Sequence, residues 1–287
     1  MKIRAAILGT GNIGTDLLIK AINTDFIEVV AFVGRRLESD GITVAKSKGV
    51  LVSDKGINFF IENPNCCDVV YDCTNAMDAI EHSKVFENQN IKVIDLTPAK
   101  VGELCVPDIN ADIILKQNNV NMITCGGQAS MPILHIVSKH CTGLEYIEVV
   151  SQIASKSAGM ATRINVDNYI YTTQKAITKF TGCGNCKVIL NLNPAEPCVD
   201  MQTTIFVKAK EINLNRLIDA ISDKIKDLKE YIPFYELILA PTITDTGILS
   251  IGIKVKGSGD YLPEYAGNLD IINCAAIKVT KELIYTI

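Results

Sequence analysis

Arg4-Ala5-Ala6-Ile7-Leu8-Gly9-Thr10-Gly11-Asn12-Ile13-Gly14 is an apolar run that ends in three glycines spaced G-x-G-x-x-G. Asp16 to Ile22, which follow, carry helical spacing, so the glycines stand between a strand and a helix. That context gives the glycines three tasks: a tight turn, close approach of the backbone to a pyrophosphate, and close packing of helix on strand. Gly9, Thr10, Gly11, Asn12, Ile13 and Gly14 therefore form a candidate cofactor-binding turn. The fold they open is an α/β, Rossmann-type doubly wound parallel sheet.

The next segments agree with that start. Glu28–Val33, Asp68–Thr74 and Lys92–Pro98 read as strands, with helices at Val44–Lys48 and Met77–Glu87 between them. Thr74-Asn75 and Thr97-Pro98 then fall at strand C-terminal ends, where such sheets bind ligands. The second strand runs into Gly34-Arg35-Arg36. An acid there would accept hydrogen bonds from the ribose hydroxyls of NAD, whereas arginine forks onto a 2′-phosphate, so Arg35 and Arg36 tilt the cofactor toward NADP.

Asn121-Met122-Ile123-Thr124-Cys125-Gly126-Gly127-Gln128-Ala129-Ser130-Met131-Pro132 delivers one cysteine into a Gly-Gly turn. Ser130 as a cap and Pro132 in a first turn predict a helix start, with Cys125 just before it. Positive partial charge and free amides there favour the thiolate, and the glycines let amides approach an oxyanion. Cys125 is thus a candidate nucleophile, the alternative being a small residue at a tight connection. Strands at Leu144–Ala154, Val188–Leu192, Thr203–Lys208 and Ile248–Lys256, with helices at Val166–Phe180 and Leu214–Lys229, predict an α+β domain with a mixed sheet. The expected division is 1–125 for dinucleotide binding and 126–269 for catalysis and dimerisation. A final helix, 270–287, carries Ile271, Ala275, Val279 and Leu283 on one stripe and packs back on the first domain.

The 287 residues are 48% hydrophobic and 21% charged with net charge −4, which suits a globular protein and gives no electrostatic reason to expect nucleic acid or an anionic membrane as partner. No apolar run approaches the length of a membrane span. Ten cysteines, and a start Met1-Lys2-Ile3-Arg4 that leads straight into a strand, predict a reducing, cytoplasmic setting. Cys183-Gly184-Asn185-Cys186 has no second pair at zinc spacing, and Cys66-Cys67 read as packing residues. His135 lies ten residues beyond Cys125, about 15 Å along a helix, and His140 further still. Both read as structural; His82, the remaining histidine, falls in a helical pattern of the first domain.

Six blocks together resemble a known family: Gly9 to Asp16, Ile94-Asp95-Leu96-Thr97-Pro98-Ala99, Asn121 to Ala129, Ser155-Lys156-Ser157-Ala158-Gly159, Asn193-Pro194-Ala195-Glu196-Pro197 and Tyr261 to Asp270. They are similar to acetaldehyde dehydrogenase (acylating), which partners 4-hydroxy-2-oxovalerate aldolase in bacterial catabolism of aromatic compounds. The resemblance implies an architecture like that of semialdehyde and glyceraldehyde-phosphate dehydrogenases, and interconversion of an aldehyde, CoA and NAD(P)+ with acyl-CoA and NAD(P)H. It makes Cys125 the nucleophile that carries a thioester. It also makes Ser157, Ala158, Gly159, Met160, Ala161, Thr162, Arg163, Ile164 and Asn165 a second cofactor-contacting loop, sets Asn268 near the nicotinamide, and implies a homodimer associated with an aldolase.

Three departures stand out. Thr203 matches a position where the family carries an aspartate that serves as a base or positions water, and Asp200 is out of phase with it on a strand. Gly34-Arg35-Arg36 replaces Gly-Ile-Asp, and the segment between Leu239 and Gly247 is shorter. They keep open a larger acyl-CoA as substrate, phosphate as the acyl acceptor, or a non-catalytic NADP-binding partner of an aldolase.

Overall fold

The computed structural model describes residues 2–89, 91–99 and 101–286. In it the opening run is strand β1 (Ile3–Leu8), and the glycine turn hands the chain to helix α1 (Asn12–Ile22). The chain continues through β2 (Ile27–Val33), α2 (Asp40–Ser47), β3 (Val52–Ser53), α3 (Asn58–Glu62), β4 (Val69–Asp72), α4 (Ala76–Glu87) and β5 (Lys92–Asp95). Then come β6 (Glu103–Leu104), α5 (Pro107–Asn110), α6 (Ile113–Lys116) and β7 (Asn119–Asn121). The described strands form a seven-stranded sheet in the order β3-β2-β1-β4-β5-β7-β6, with every pairing parallel. β1 lies between β2 and β4, and its Ala5, Ala6 and Ile7 are wholly buried, as expected of a strand covered on both faces.

The doubly wound sheet expected from the glycine turn is present. The strands are shorter than their apolar runs: β4 stops at Asp72 and β5 at Asp95, because each aspartate turns back to cap the following backbone. Asp72 Oδ1 accepts from the Thr74 N–H at 3.0 Å and Asp95 Oδ1 from the Thr97 N–H at 2.8 Å.

The rest of the chain builds a five-stranded sheet from α7 (Cys125–His140), β8 (Cys141–Ala154), α8 (Met160–Ile164), α9 (Val166–Thr181), β9 (Cys186–Asn193), β10 (Met201–Ile212), α10 (Leu214–Lys229), β11 (Tyr235–Ile243), β12 (Leu249–Val255) and α11 (Gly267–Glu282). Its order is β11-β12-β10-β8-β9, antiparallel except for the parallel β8–β9 pair, so it is the mixed sheet that the sequence predicts. Buried and half-buried positions alternate along β8 and β10, the pattern of a sheet packed firmly on one face.

The chain divides into two compact units. One runs to Met122 and takes in Asp260–Leu262 and the chain from Ile272 onward; the other holds Ile123–Gly259 and Pro263–Ile271, and so contains Cys125. Within the first unit, Ala275 and Val279 of α11 and Leu283 just beyond it, three members of the expected stripe, are buried. Two polar contacts fix it there: the Tyr71 and Thr280 hydroxyls meet at 2.5 Å, and Asn273 Nδ2 donates to Asp16 Oδ2 at 2.8 Å.

Candidate active site

In the first unit the glycine turn has the geometry its spacing predicts. Gly9 has φ of +115°, and a Cβ there would stand 2.6 Å from the Cys73 carbonyl oxygen. On Gly14 it would stand 2.0 Å from the Gly9 carbonyl oxygen, so helix and turn are in direct backbone contact. Around Gly11 a Cβ would meet nothing within 4 Å. Gly11 and Asn12 are solvent-exposed, α1 has no acid in its first turn, and its N-cap contributes no side chain to the amides. An open approach to a helix N-terminus with glycine at the closest point fits a pyrophosphate.

Thr10 packs against Gly34, and Ser39 Oγ donates to its hydroxyl at 3.1 Å, which ties the turn to the end of β2. Arg35 and Arg36 follow on the surface; the Arg35 side chain is 77% exposed and lies 3.3 Å from Asp78. Beside the turn, buried Asp72 holds His82 Nδ1 at 2.6 Å, while Asn121 Nδ2 donates to Asp95 at 2.8 Å. Burial, and then the neighbouring Asp72 carboxylate, push the Asp95 carboxyl up to about 7.

In the second unit Cys125 sits inside a helix start, not before one. Thr124 is the N-cap: its Oγ1 accepts from the Gly127 N–H at 2.9 Å, and α7 runs unbroken from Cys125 through Ser130 and Pro132 to His140. The cap expected at Ser130 is therefore six residues late, and Ser130 Oγ donates to the Gly126 carbonyl within the helix. The bend that brings the chain there is strained. Ile123 is buried with φ of +64°, a conformation that a β-branched side chain resists.

Three hydroxyls converge behind the thiol. Tyr169 Oη on α9 lies 3.9 Å from Cys125 Sγ and accepts from the Gly126 N–H at 3.1 Å. Ser151 of β8 hydrogen-bonds the phenol, and Thr203 of β10 meets Ser151 Oγ at 3.1 Å. A Cβ on Gly126 would stand 2.1 Å from Tyr169 Oη and 2.6 Å from Ser151 Oγ, so the glycine makes room for the phenol. The amides that the sequence offered to an oxyanion are already engaged: Gly126 serves Tyr169 and Gly127 serves Thr124.

Cys125 is half-buried, and burial pushes its thiol up to about 11, outweighing the phenol and the Gly126 and Cys125 N–H groups, which favour the thiolate. The expected balance at the helix start is thus reversed, because desolvation exceeds the local dipoles. The rate at which iodoacetamide alkylates Cys125 should climb about tenfold per pH unit between pH 8 and 10, as its thiolate fraction does. A plateau already reached at pH 8 would contradict this.

The remaining predicted residues behave differently from one another. Asn268 is buried in the second unit, and its Oδ1 has no hydrogen-bond partner among the described residues, an acceptor suited to a carboxamide N–H. Ser157 Oγ donates to the Ala154 carbonyl, and Ala158 is buried. Arg163 is spent on its own loop, with Nε on the Ala158 carbonyl at 3.1 Å and Nη2 on Ser155 at 2.9 Å. Gly159 and Thr162 lie on this loop, Asn165 is buried at the start of α9, and Ile164 is 69% exposed. The side chains of Met160 and Ala161 lie outside those described. Lys156 pairs with Glu196 at 2.5 Å, joining two of the blocks singled out in the sequence. Cys183 and Cys186 direct their sulfurs at the Asn185 and Gln174 carbonyls.

A family model described as "Prokaryotic acetaldehyde dehydrogenase, dimerisation" matches residues 125–263. Acetaldehyde dehydrogenase of Spirochaeta aurantia is 51% identical over 98% of this chain and 94% of its own length. That of Pectobacterium atrosepticum is 50% identical over 98% and 95%, and that of Geobacillus stearothermophilus 44% over 98% and 96%. The chain belongs to the acetaldehyde dehydrogenase family. Aspartate semialdehyde dehydrogenase II of Vibrio cholerae, solved in complex with ASA, is 13% identical with a TM-score of 0.67 over 99% of each chain, a likeness of fold alone.

As a member of the acetaldehyde dehydrogenase family, the chain fills its matched segment with the cysteine helix and all five strands of the mixed sheet. Sequence reasoning passed over Tyr169 and Ser151 here. Tyr169 lies 44 positions from Cys125 on another helix, and no local pattern joins the two. The one available hint was Gly126, a poor helix former that a first turn tolerates best when something occupies the space of its missing side chain.

Proposed function

We propose that the protein is an acylating acetaldehyde dehydrogenase that interconverts acetaldehyde, CoA and NAD(P)+ with acetyl-CoA and NAD(P)H. What carries this reading is Cys125 on a strained bend at the start of α7, within a chain 44–51% identical to three acetaldehyde dehydrogenases. The Cys125 thiolate adds to the aldehyde carbonyl and gives a hemithioacetal. Loss of the hydroxyl proton to solvent and of hydride from that carbon leaves a thioester on Sγ. The CoA sulfur then attacks the thioester carbonyl, and Cys125 leaves as thiolate. Two moderate steps replace one hard one. A bound nicotinamide supplies the hydride acceptor.

The residues proposed to hold that group are the Gly9–Gly14 turn for the pyrophosphate and Asn268 Oδ1 for the carboxamide. The 157–165 loop is kept in shape by Arg163. The matched dimerisation model supports a homodimer, and association with an aldolase rests on the resemblance of the sequence blocks alone. Activity is tested by adding acetyl-CoA to protein with NADH or NADPH. Consumption of reduced cofactor with formation of acetaldehyde is expected; no consumption with either cofactor would overturn the proposal.

Arg35 and Arg36 at the end of β2 favour NADP, since two exposed guanidinium groups can clamp a 2′-phosphate. Arg36→Asp should weaken NADP binding about tenfold or more while changing NAD binding little, measured by fluorescence titration. Equal losses for both cofactors would remove the phosphate clamp.

A further inference from the structure

The hydroxyls behind Cys125 can orient to suit a thiol or a thiolate. A phenol oxygen has two lone pairs. Tyr169 Oη accepts from the Gly126 N–H and lies within hydrogen-bond reach of both the Ser151 hydroxyl and the Cys125 sulfur. Ionisation of Cys125 selects one orientation. The sulfur then has no hydrogen to give, and with the Gly126 N–H and the Ser151 hydroxyl donating to the phenol oxygen, its own hydrogen turns to the thiolate.

We propose that Tyr169 is a catalytic residue, whose phenol donates a hydrogen bond to the Cys125 thiolate, and that Ser151 and Thr203 are positioning residues that keep its hydrogen on the sulfur side. This deepens the thioester reading and rests on Cys125 as the nucleophile. Thr203 Oγ1 meets Ser151 Oγ at 3.1 Å, so the hydroxyls can align in one sense, Thr203 to Ser151 to Tyr169 to sulfur. Hydrogen bonds aligned this way polarise one another. A phenol also remains a donor here, because burial and the adjacent Cys125 sulfur push the Tyr169 hydroxyl well above its ordinary value. No proton moves onto or off Tyr169 in this role; it stabilises the charge on sulfur, both before attack and when the thiolate departs from the thioester.

The three hydroxyl residues are buried, with Thr203 only 1% exposed. Water is therefore a poor substitute for the phenol, and the loss of its hydrogen bond acts directly on the sulfur. Gly126 gives independent support, since its missing side chain is the space that Tyr169 Oη occupies.

The test is the pH dependence of Cys125 alkylation by iodoacetamide, followed by peptide mass spectrometry, in the wild type, Tyr169→Phe, Ser151→Ala and Thr203→Val. Losing a hydrogen bond to a charged sulfur should raise the apparent pKa of Cys125 by about one unit in Tyr169→Phe. The tenfold loss of thiolate is partly offset by the greater nucleophilicity of a more basic sulfur, leaving a fall of about three- to fourfold at pH 8. Ser151→Ala and Thr203→Val should shift the profile in the same direction by less.

A Tyr169→Phe profile that superposes on the wild type, or moves to lower pH, overturns the proposal. Should Tyr169→Phe fail to fold, the other two variants decide it, and no shift in either overturns it. The two readings fail separately: wild type that takes no acetyl group from acetyl-CoA sinks the thioester, whereas an acetylated wild type with an unmoved Tyr169→Phe profile sinks only the role of the tyrosine.

Discussion

Cys125→Ala should lose turnover by a factor on the order of 10⁴ or more while keeping its fold and its affinity for the dinucleotide. The nucleophile is the one group in this chemistry that nothing nearby can replace. Tyr169, Ser151 and Thr203 are hydroxyls held high in pKa or neutral, and Gly126 and Gly127 offer only amides that are already engaged. Alanine is a strong helix former, and Cys125 is half-buried at the first position of α7, so its melting temperature should stay within about 2 °C of the wild type. Steady-state reduction of acetyl-CoA, paired with a thermal melt, measures both. A variant retaining a tenth of wild-type turnover would mean that acyl transfer does not pass through this sulfur.

Gly14→Ala should damage the first unit most. Its Cβ would stand 2.0 Å from the Gly9 carbonyl oxygen and 3.4 Å from Ile7 Cγ2, and the nearer atom is backbone, which cannot rotate aside. Alanine gains about 1 kcal/mol of helix propensity at an interior position, but separating helix from turn costs about 1–3 kcal/mol and moves the amides away from the pyrophosphate. Cofactor affinity should fall at least about tenfold, with a lower melting temperature. Gly11→Ala is the informative partner. Its Cβ meets no protein atom within 4 Å, so stability should move by less than about 1 kcal/mol while cofactor affinity falls comparably. If Gly11→Ala binds NAD(P) as tightly as the wild type, the pyrophosphate does not approach this turn.

The parallel sheet was legible because its signals are local: an apolar run, three glycines with fixed tasks, and buried strands alternating with helices. The short elements were not. α3, α5, α6, β3, β6 and β7 are two to five residues long, below the length at which either periodicity can be told from chance. β11 was missed for a different reason. Tyr235–Ile243 carries exposed Ile238, Leu239 and Ile243 at a sheet edge, so it shows no alternation, and Pro241 within it weakens the strand signal.

The start of α7 was misread because Ser130 and Pro132 form a good local start, whereas the true cap is Thr124 with two glycines behind it. Those glycines are poor helix formers. Gly126 earns its position through Tyr169 and Ser151, which are distant in sequence. Cys125 was a candidate from its Gly-Gly turn near a helix start, and the resemblance of its flanking block to a family singled it out further. The hydroxyls behind it could not be picked out, because their convergence depends on a helix, two strands and the pairing of β8 with β10, which aligns Ser151 with Thr203.

The most direct test of the account is intact-protein mass spectrometry of the wild type and Cys125→Ala after incubation with acetyl-CoA and no reduced cofactor. The thioester route predicts the mass of one acetyl group on the wild type, removed by added CoA or hydroxylamine, and none on Cys125→Ala. An unmodified wild type, or an acetyl group that persists on Cys125→Ala, would contradict it.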